Sequence, residues 1–228
     1  MLEVNHVRKE FRDGHQIRTA VAVDSLTVDS GEQMALVGPS GSGKTTLLHL
    51  LSGLLTPTSG EISYDNINIS AMPERWRDTW RSHTVGYVFQ RFNLLDSLTI
   101  LDNLLAAMSF ADVIDKKEQP LWACHLLDQV NLADRRGSFP HQLSMGEQQR
   151  IAIARAVANR PRLILADEPT ASLDQANSQR VITLLRHLAK NTNSILLVST
   201  HDNHIINQFQ RVFPLRQVNG NASYHSLA

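Results

Sequence analysis

Met34-Ala35-Leu36-Val37-Gly38-Pro39-Ser40-Gly41-Ser42-Gly43-Lys44-Thr45-Thr46-Leu47-Leu48-His49-Leu50-Leu51 is the stretch that decides how this chain folds. Its centre, Gly38 to Thr45, fits G-x-x-x-x-G-K-[ST], a loop that holds nucleotide phosphates. Glycines let the backbone curl until its N–H groups point inward at an anion. The helix that follows adds the partial positive charge of its N-terminus. Lys44 would neutralise the outer phosphates, the Thr45 hydroxyl would take one Mg²⁺ position, and Thr46 continues the contact surface. Apolar Met34–Val37 reads as a buried strand, and Leu47, Leu48, Leu50 and Leu51 recur at helical spacing. A glycine-rich turn that binds nothing is the competing reading. The strand–loop–helix context speaks against it.

Outward from this loop the chain alternates between strand and helix patterns. Upstream, Leu2-Glu3-Val4 and Val21–Val28 alternate like strands, with Asp13-Gly14 as a turn signal between strand runs. Downstream come a turn at Pro57 and Gly60, a short strand Glu61–Tyr64, and a buried strand Val85–Phe89 ending at Gln90. From about residue 91 to 158 the pattern is helical. Leu101, Leu104, Leu105 and Met108 share one face; Leu126, Leu127 and Val130 share another. Pro120 suits the first turn of the second helix. Strand Leu163–Leu165, a helix carrying Val181, Leu184, Leu185 and Leu188, and strand Ile195–Val198 complete the pattern. Near-continuous apolar strands between helices predict an α/β fold with a mostly parallel sheet covered by helices.

Composition narrows the function. With 228 residues and 42% hydrophobic content there is enough for one sizeable core. Formal net charge is zero, which gives no sign of a polyanion such as DNA as partner. Cys124, the single cysteine, reads as a small apolar residue on a helix, in keeping with a reducing, cytoplasmic setting. The N-terminus lacks a basic and then apolar leader pattern, and no run approaches the roughly 18–20 apolar residues of a membrane span. Asn221-Ala222-Ser223 fits the glycosylation pattern, which a cytoplasmic chain makes a chance match.

Leu163-Ile164-Leu165-Ala166-Asp167-Glu168 is an apolar strand ending in two carboxylates. At the carboxyl end of a parallel strand, residues face the ligand crevice. Asp167 would bind Mg²⁺, directly or through water, and Glu168 would polarise a water that attacks the γ-phosphate. Leu143-Ser144-Met145-Gly146-Glu147-Gln148-Gln149-Arg150 carries a local signal of its own. Ser144 to Glu147 fits S-x-x-E, a capping box that opens a helix through Ile151, Ile153 and Ala154.

The same octapeptide resembles the signature motif of ABC ATPases, and its spacing to the acidic pair suits that family. Gln90 resembles the family's Q-loop glutamine, Ser172-Leu173-Asp174 its D-loop, and His201, after strand Ile195–Val198, its switch histidine. Phe11 sits where the family places an aromatic that stacks on adenine. Each has a plainer reading in isolation: Gln90 as a polar strand end, Asp174 as a helix cap, Phe11 as core, and His201-Asp202-His204 as a metal cluster. Order and spacing favour the family roles.

The resemblance covers nearly the whole chain and implies a P-loop NTPase core with an N-terminal antiparallel β subdomain and an inserted α-helical subdomain. Residues 1–90 and 159–228 would form the core and 91–158 the helical part. It implies ATP and Mg²⁺ as cofactors, with Lys44, Gln90, Glu168 and His201 catalytic and Thr45, Gln90 and Asp167 at the metal. Ser144, Met145, Gly146, Glu147 and Asp174 would contact a nucleotide held by a second copy. Met145 and Glu147 depart from the usual L-S-G-G-Q pattern. Glu147 is expected to turn toward the cap, away from phosphates.

Phe89–Ile100, Ala166–Thr170 and Thr200-His201-Asp202 resemble the lipoprotein-releasing and macrolide-efflux branch, called LolD/MacB-like. That branch implies an ATP-driven homodimer coupled to integral-membrane permease subunits, with a periplasmic adaptor in some systems. Its site would be peripheral, on the inner face of the membrane. The chain runs only 27 residues past His201, so a regulatory or second ATPase unit is not expected. A nutrient-importer subunit and a soluble ABC ATPase acting on DNA or ribosomes are the alternatives. The latter carry coiled coils or paired ATPase units, which this sequence lacks.

Overall fold

The computed structural model describes residues 1–14 and 16–217. The Asn221-Ala222-Ser223 sequon lies outside them. Two sheets organise the chain. The larger has five strands, all paired in parallel, in the order β6-β7-β8-β3-β9. These are β3 (Gln33–Val37), β6 (Val85–Val88), β7 (Leu163–Asp167), β8 (Ile195–Ser199) and β9 (Arg211–Pro214). Every residue of β7 and β8 is buried. Their sequences, Leu-Ile-Leu-Ala-Asp and Ile-Leu-Leu-Val-Ser, have no polar side chain until the last position, as a strand covered on both faces requires.

The smaller sheet is antiparallel, in the order β2-β1-β4-β5: β1 (Leu2–Asp13), β2 (Gln16–Val28), β4 (Ser59–Tyr64) and β5 (Ile67–Asn68). Gly14, at φ 57°, turns β1 into β2, where the Asp13-Gly14 signal lies. This hairpin sets Phe11 directly opposite Arg18. Two residues further along β2, the Ala20 carbonyl presses on the phosphate-loop segment: a Cβ at Gly43 would stand 2.2 Å from it. Gly43 has φ 92°, so both space and backbone conformation demand glycine there.

Helix α1 (Lys44–Leu51) leaves the loop after β3. The remaining helices are α2 (Glu74–Thr84), α3 (Ile100–Ala111), α4 (Gln119–Gln129), α5 (Met145–Val157), α6 (Gln175–Asn191) and short α7 (Asn203–Ile206). Leu104, Met108, Leu126, Leu127 and Val130 are buried as the helical periodicity requires. They join Ile151, Ile153 and Ala154 of α5 and Val88, Ile164 and Val198 of the parallel sheet in one continuous core. Helix α5 is the link, because it crosses β6 at Gly86 with almost no clearance. A Cβ at Gly86 would lie 2.2 Å from the Ala156 carbonyl.

Three elements carry little pattern in the sequence. Helix α2 has eleven residues and none is buried, so no apolar stripe marks it. Arg77 Nε and Arg81 Nη1 hold it in place by donating to the Gly53 carbonyl at 2.9 and 3.2 Å. Strands β5 and β9 are short, and β9 is an edge whose side chains alternate between half-buried and exposed. Strand β6 stops at Val88, one residue short of the apolar run, and Gln90 already belongs to the loop.

Gly86→Ala is expected to destabilise the protein by about 1–3 kcal/mol through overpacking of α5 on β6. Urea unfolding measures it; an unchanged midpoint would mean that α5 does not seat on this strand.

Candidate functional site

Helix α1 begins without a side-chain cap: its N-cap is Gly43, in the left-handed region. The first-turn N–H groups are therefore left to whatever the loop encloses. Lys44 is buried, and its Nζ donates to the loop carbonyls of Gly38 at 2.8 Å and Pro39 at 3.3 Å. It also stands 3.7 Å from Glu168 Oε1. The loop thus holds its own cation in place above the helix N-terminus.

The acidic pair closes β7. Asp167 is almost fully buried and accepts a 2.6 Å hydrogen bond from Ser199 Oγ on neighbouring β8. Glu168 turns out of the sheet with φ 44°, a conformation that non-glycine residues rarely hold and that costs about 1–3 kcal/mol. The turn is held by its N–H, which donates to the Ser199 carbonyl at 3.1 Å and to Ser199 Oγ at 2.9 Å. It brings the Glu168 carboxylate between Lys44 and the imidazole of His201, whose Nδ1 lies 3.0 Å from Oε2.

These groups share one cleft of about 790 Å³, within the size range of a small-molecule site. Phe11, Ser40, Gly41, Gly43, Lys44, Thr45 and Thr46 line it, and so do Gln90, Glu168 and His201. Gly38, Pro39 and Ser42 form the root of the loop and do not line the cleft. Neither does Asp167, which lies behind Glu168 with 4% exposure. One face of the exposed Phe11 ring is covered by Lys9, its Nζ 5.3 Å from the ring centroid; the ring also borders the cleft. Phe11, the phosphate loop and the acidic strand end are thus brought together by three separate parts of the chain. Thr45, Gln90 and Asp167 each carry a side-chain oxygen of the kind Mg²⁺ takes, so these residues would suit that ion.

Ser144, Met145, Gly146, Glu147 and Asp174 do not border this cleft. Ser144 caps α5, and the reciprocal box is complete. Glu147 Oε2 accepts from the Ser144 N–H at 2.9 Å and from Ser144 Oγ at 2.7 Å. The Ser144 hydroxyl bond, then the backbone bond, hold the Glu147 carboxyl below its ordinary range. Glu147 is turned toward the cap, as the sequence predicts. Asp174 caps α6, accepting from the Asn177 N–H at 2.9 Å and from Asn177 Nδ2 at 2.6 Å; the backbone bond leads in lowering its carboxyl. A Cβ on Gly146 would lie 3.7 Å from that Asn177 side chain, so the α5 and α6 caps face each other. Asp202 likewise caps α7 through the His204 N–H at 2.8 Å.

Four site residues escape the sequence reading: Arg18, Ala20, Ala171 and Ser199. Arg18 and Ala20 line the cleft from β2, and the hairpin turn at Gly14 was the available signal, because it places Arg18 beside Phe11. Ser199 had no signal beyond being the polar residue that ends an apolar strand.

Comparison with known proteins agrees with this geometry. A family model described as ABC transporter matches residues 21–171. The lipoprotein-releasing system ATP-binding protein LolD of Legionella pneumophila (strain Lens) is 40% identical over 214 residues, 92% of each chain. The macrolide export ATP-binding/permease protein MacB of Rhodopirellula baltica is 40% identical over 95% of this chain, which spans only 32% of that larger protein. Among solved structures, the dimeric post-hydrolysis state of the ATP-binding cassette MJ0796 bound to ADP and Pi superposes with a TM-score of 0.87. It is 34% identical, and the match covers 96% of this chain and 97% of that one.

Ser144→Ala is expected to cost about 1 kcal/mol through loss of the cap. The bonds to Glu147 lower its folded-state titration, so their stabilisation is present above the unfolded carboxyl value near ~4.3 and is lost as pH falls through the folded one. Urea midpoints for wild type and Glu147→Gln across this acid range should converge as pH falls; a constant gap would refute the linkage.

Proposed function

The chain belongs to the ABC transporter family and is an ABC ATPase; on that premise we propose that it drives a separate permease by ATP-dependent pairing of two copies. The observation that carries the reading is the single cleft in which the uncapped α1 N-terminus, Lys44, Gln90, Glu168 and His201 meet beneath Phe11.

The chemistry is hydrolysis of the terminal phosphate of ATP, in which positioning and charge neutralisation do most of the work. Phe11 stacks on the base, and loop N–H groups from Ser40 to Thr46 bind the phosphates. Lys44 exchanges the Gly38 and Pro39 carbonyls for phosphate oxygens. Thr45, Gln90 and Asp167 would hold Mg²⁺, which would supply neutralisation of the charge developing on the phosphates. Glu168 orients the attacking water and accepts its proton as the oxygen bonds to phosphorus, while ADP leaves with the electron pair. His201, already bonded to Glu168, would meet the γ-phosphate.

Ser144, Gly146 and Asp174 lie outside their own chain's cleft, and both related cassette structures are described as dimeric. These observations support a head-to-tail pair in which the caps of α5 and α6 approach the partner's nucleotide. Among the described residues no helix is long and apolar enough to cross a membrane. A permease partner, docked at the groove between the helical layer and the Gln90 loop, would hold the ATPase at the inner membrane face. The names of the relatives, macrolide export and lipoprotein release, support export or extraction as the coupled process, with lipids, lipoproteins, peptides or drugs as the proposed cargo classes.

Lys44→Ala is expected to lower steady-state ATP turnover at least ~100-fold, since it removes the charge that meets the phosphates. A phosphate-release assay that found unchanged turnover would sink the assignment. Glu168→Gln should bind ATP without hydrolysing it and elute from gel filtration as a dimer with ATP and a monomer without; a persistent monomer would count against in-trans pairing.

A further inference from the structure

We propose that Ser199 is a positioning residue of the hydrolytic site, fixing both the Asp167 carboxylate and the turn that presents Glu168. The inference rests on the ATPase reading above and assigns it a residue outside the cleft. Ser199 ends β8, is fully buried, and lies directly opposite Asp167 in the parallel register. Its hydroxyl has one proton and donates it to Asp167 Oδ1 at 2.6 Å. The same oxygen accepts the Glu168 N–H at 2.9 Å. One hydroxyl therefore ties two consecutive acidic residues to the neighbouring strand, each by a different element of its hydrogen-bonding capacity.

The two bonds have separate consequences. Asp167 is buried, and among the described residues no other donor reaches its carboxylate. Without the hydroxyl, Oδ1 would be buried and unpaired, and the carboxylate would lose the contact that sets its rotation. With it, Oδ1 is committed and Oδ2 is left for the hydration shell of Mg²⁺. The second bond supports a backbone conformation that a non-glycine residue seldom keeps. Glu168 has φ 44°, and its N–H is shared between the Ser199 hydroxyl and the Ser199 carbonyl at 3.1 Å. The γ-oxygen thus acts through Asp167 and Glu168, because Ser199 is fully buried and does not line the cleft.

The test uses Ser199→Thr and Ser199→Val in the full chain, two side chains of equal size of which only Thr keeps the hydroxyl. Nucleotide affinity is read with a fluorescent ADP analogue in EDTA and across a Mg²⁺ titration, alongside kcat and KM for ATP. Val is expected to raise half-saturating Mg²⁺ about 10-fold, as loss of a group that orients a metal-binding carboxylate does, and to lower kcat. Its affinity in EDTA should stay within about two-fold of wild type, and Thr should match wild type throughout. Ser199→Ala, which cannot overpack, should repeat the Val result. Equal Mg²⁺ requirements for Thr and Val, or an Ala variant indistinguishable from wild type, would overturn the inference. A wild-type protein with no Mg²⁺-dependent nucleotide binding would overturn the ATPase reading itself, a different and separable result.

Discussion

Strands β7 and β8 are buried on both faces, and this constraint organises everything near the cleft. A strand covered on both sides tolerates no unpaired polar side chain until it leaves the sheet. In both strands that point is the carboxyl end, where Asp167 and Ser199 stand side by side and bond to each other. The parallel arrangement puts the ends of β3, β6, β7 and β8 on one edge. The phosphate loop, Gln90, Glu168 and His201 therefore meet although 163 residues separate Gly38 from His201. Chemistry concentrates at this edge because the rest of the sheet excludes it.

Two helix N-termini are treated in opposite ways. The N-terminus of α1 has no cap, and the cation beside it is parked on loop carbonyls. The N-terminus of α5 is closed by its own Glu147, whose carboxylate takes both the amide and the hydroxyl proton of Ser144. The first is ready for an anion in the isolated chain. The second binds a phosphate only if that phosphate competes with an internal carboxylate. Under the proposed head-to-tail pairing, such competition would make an α5 contact conditional on a correctly placed partner nucleotide.

Helix α5 also joins the helical layer to the site. Its C-terminal turn lies on β6 at Gly86, two residues before the strand ends and four before Gln90. Arg155 on the same helix donates to the carbonyls of Phe92 and Asn93, the latter at 2.5 Å, in the loop that follows Gln90. Burial lowers the Arg155 titration, and backbone carbonyls are the partners that hold its guanidinium in place. Asn103 fastens the far end of that loop to α3 through the Leu95 amide and carbonyl. A load on the helical layer would therefore reach Gln90 through backbone anchored at two points.

The sequence determined the features whose physics is local. The phosphate loop, the apolar strands ending in acids, the S-x-x-E cap and the faces of α3 and α4 each lie within a few consecutive turns or strand residues. Periodicity and residue type suffice to read them. Helix α2 was illegible because no full apolar stripe marks it: Trp80 packs on the core, and two arginines reaching Gly53 anchor the rest. Tertiary structure alone decided which distant ends meet: His201 on Glu168, and the Ser199 hydroxyl between two acids that precede it by more than 30 residues. The reason is that a parallel sheet pairs strands through long crossovers, so neighbours across it carry no trace in the chain between them.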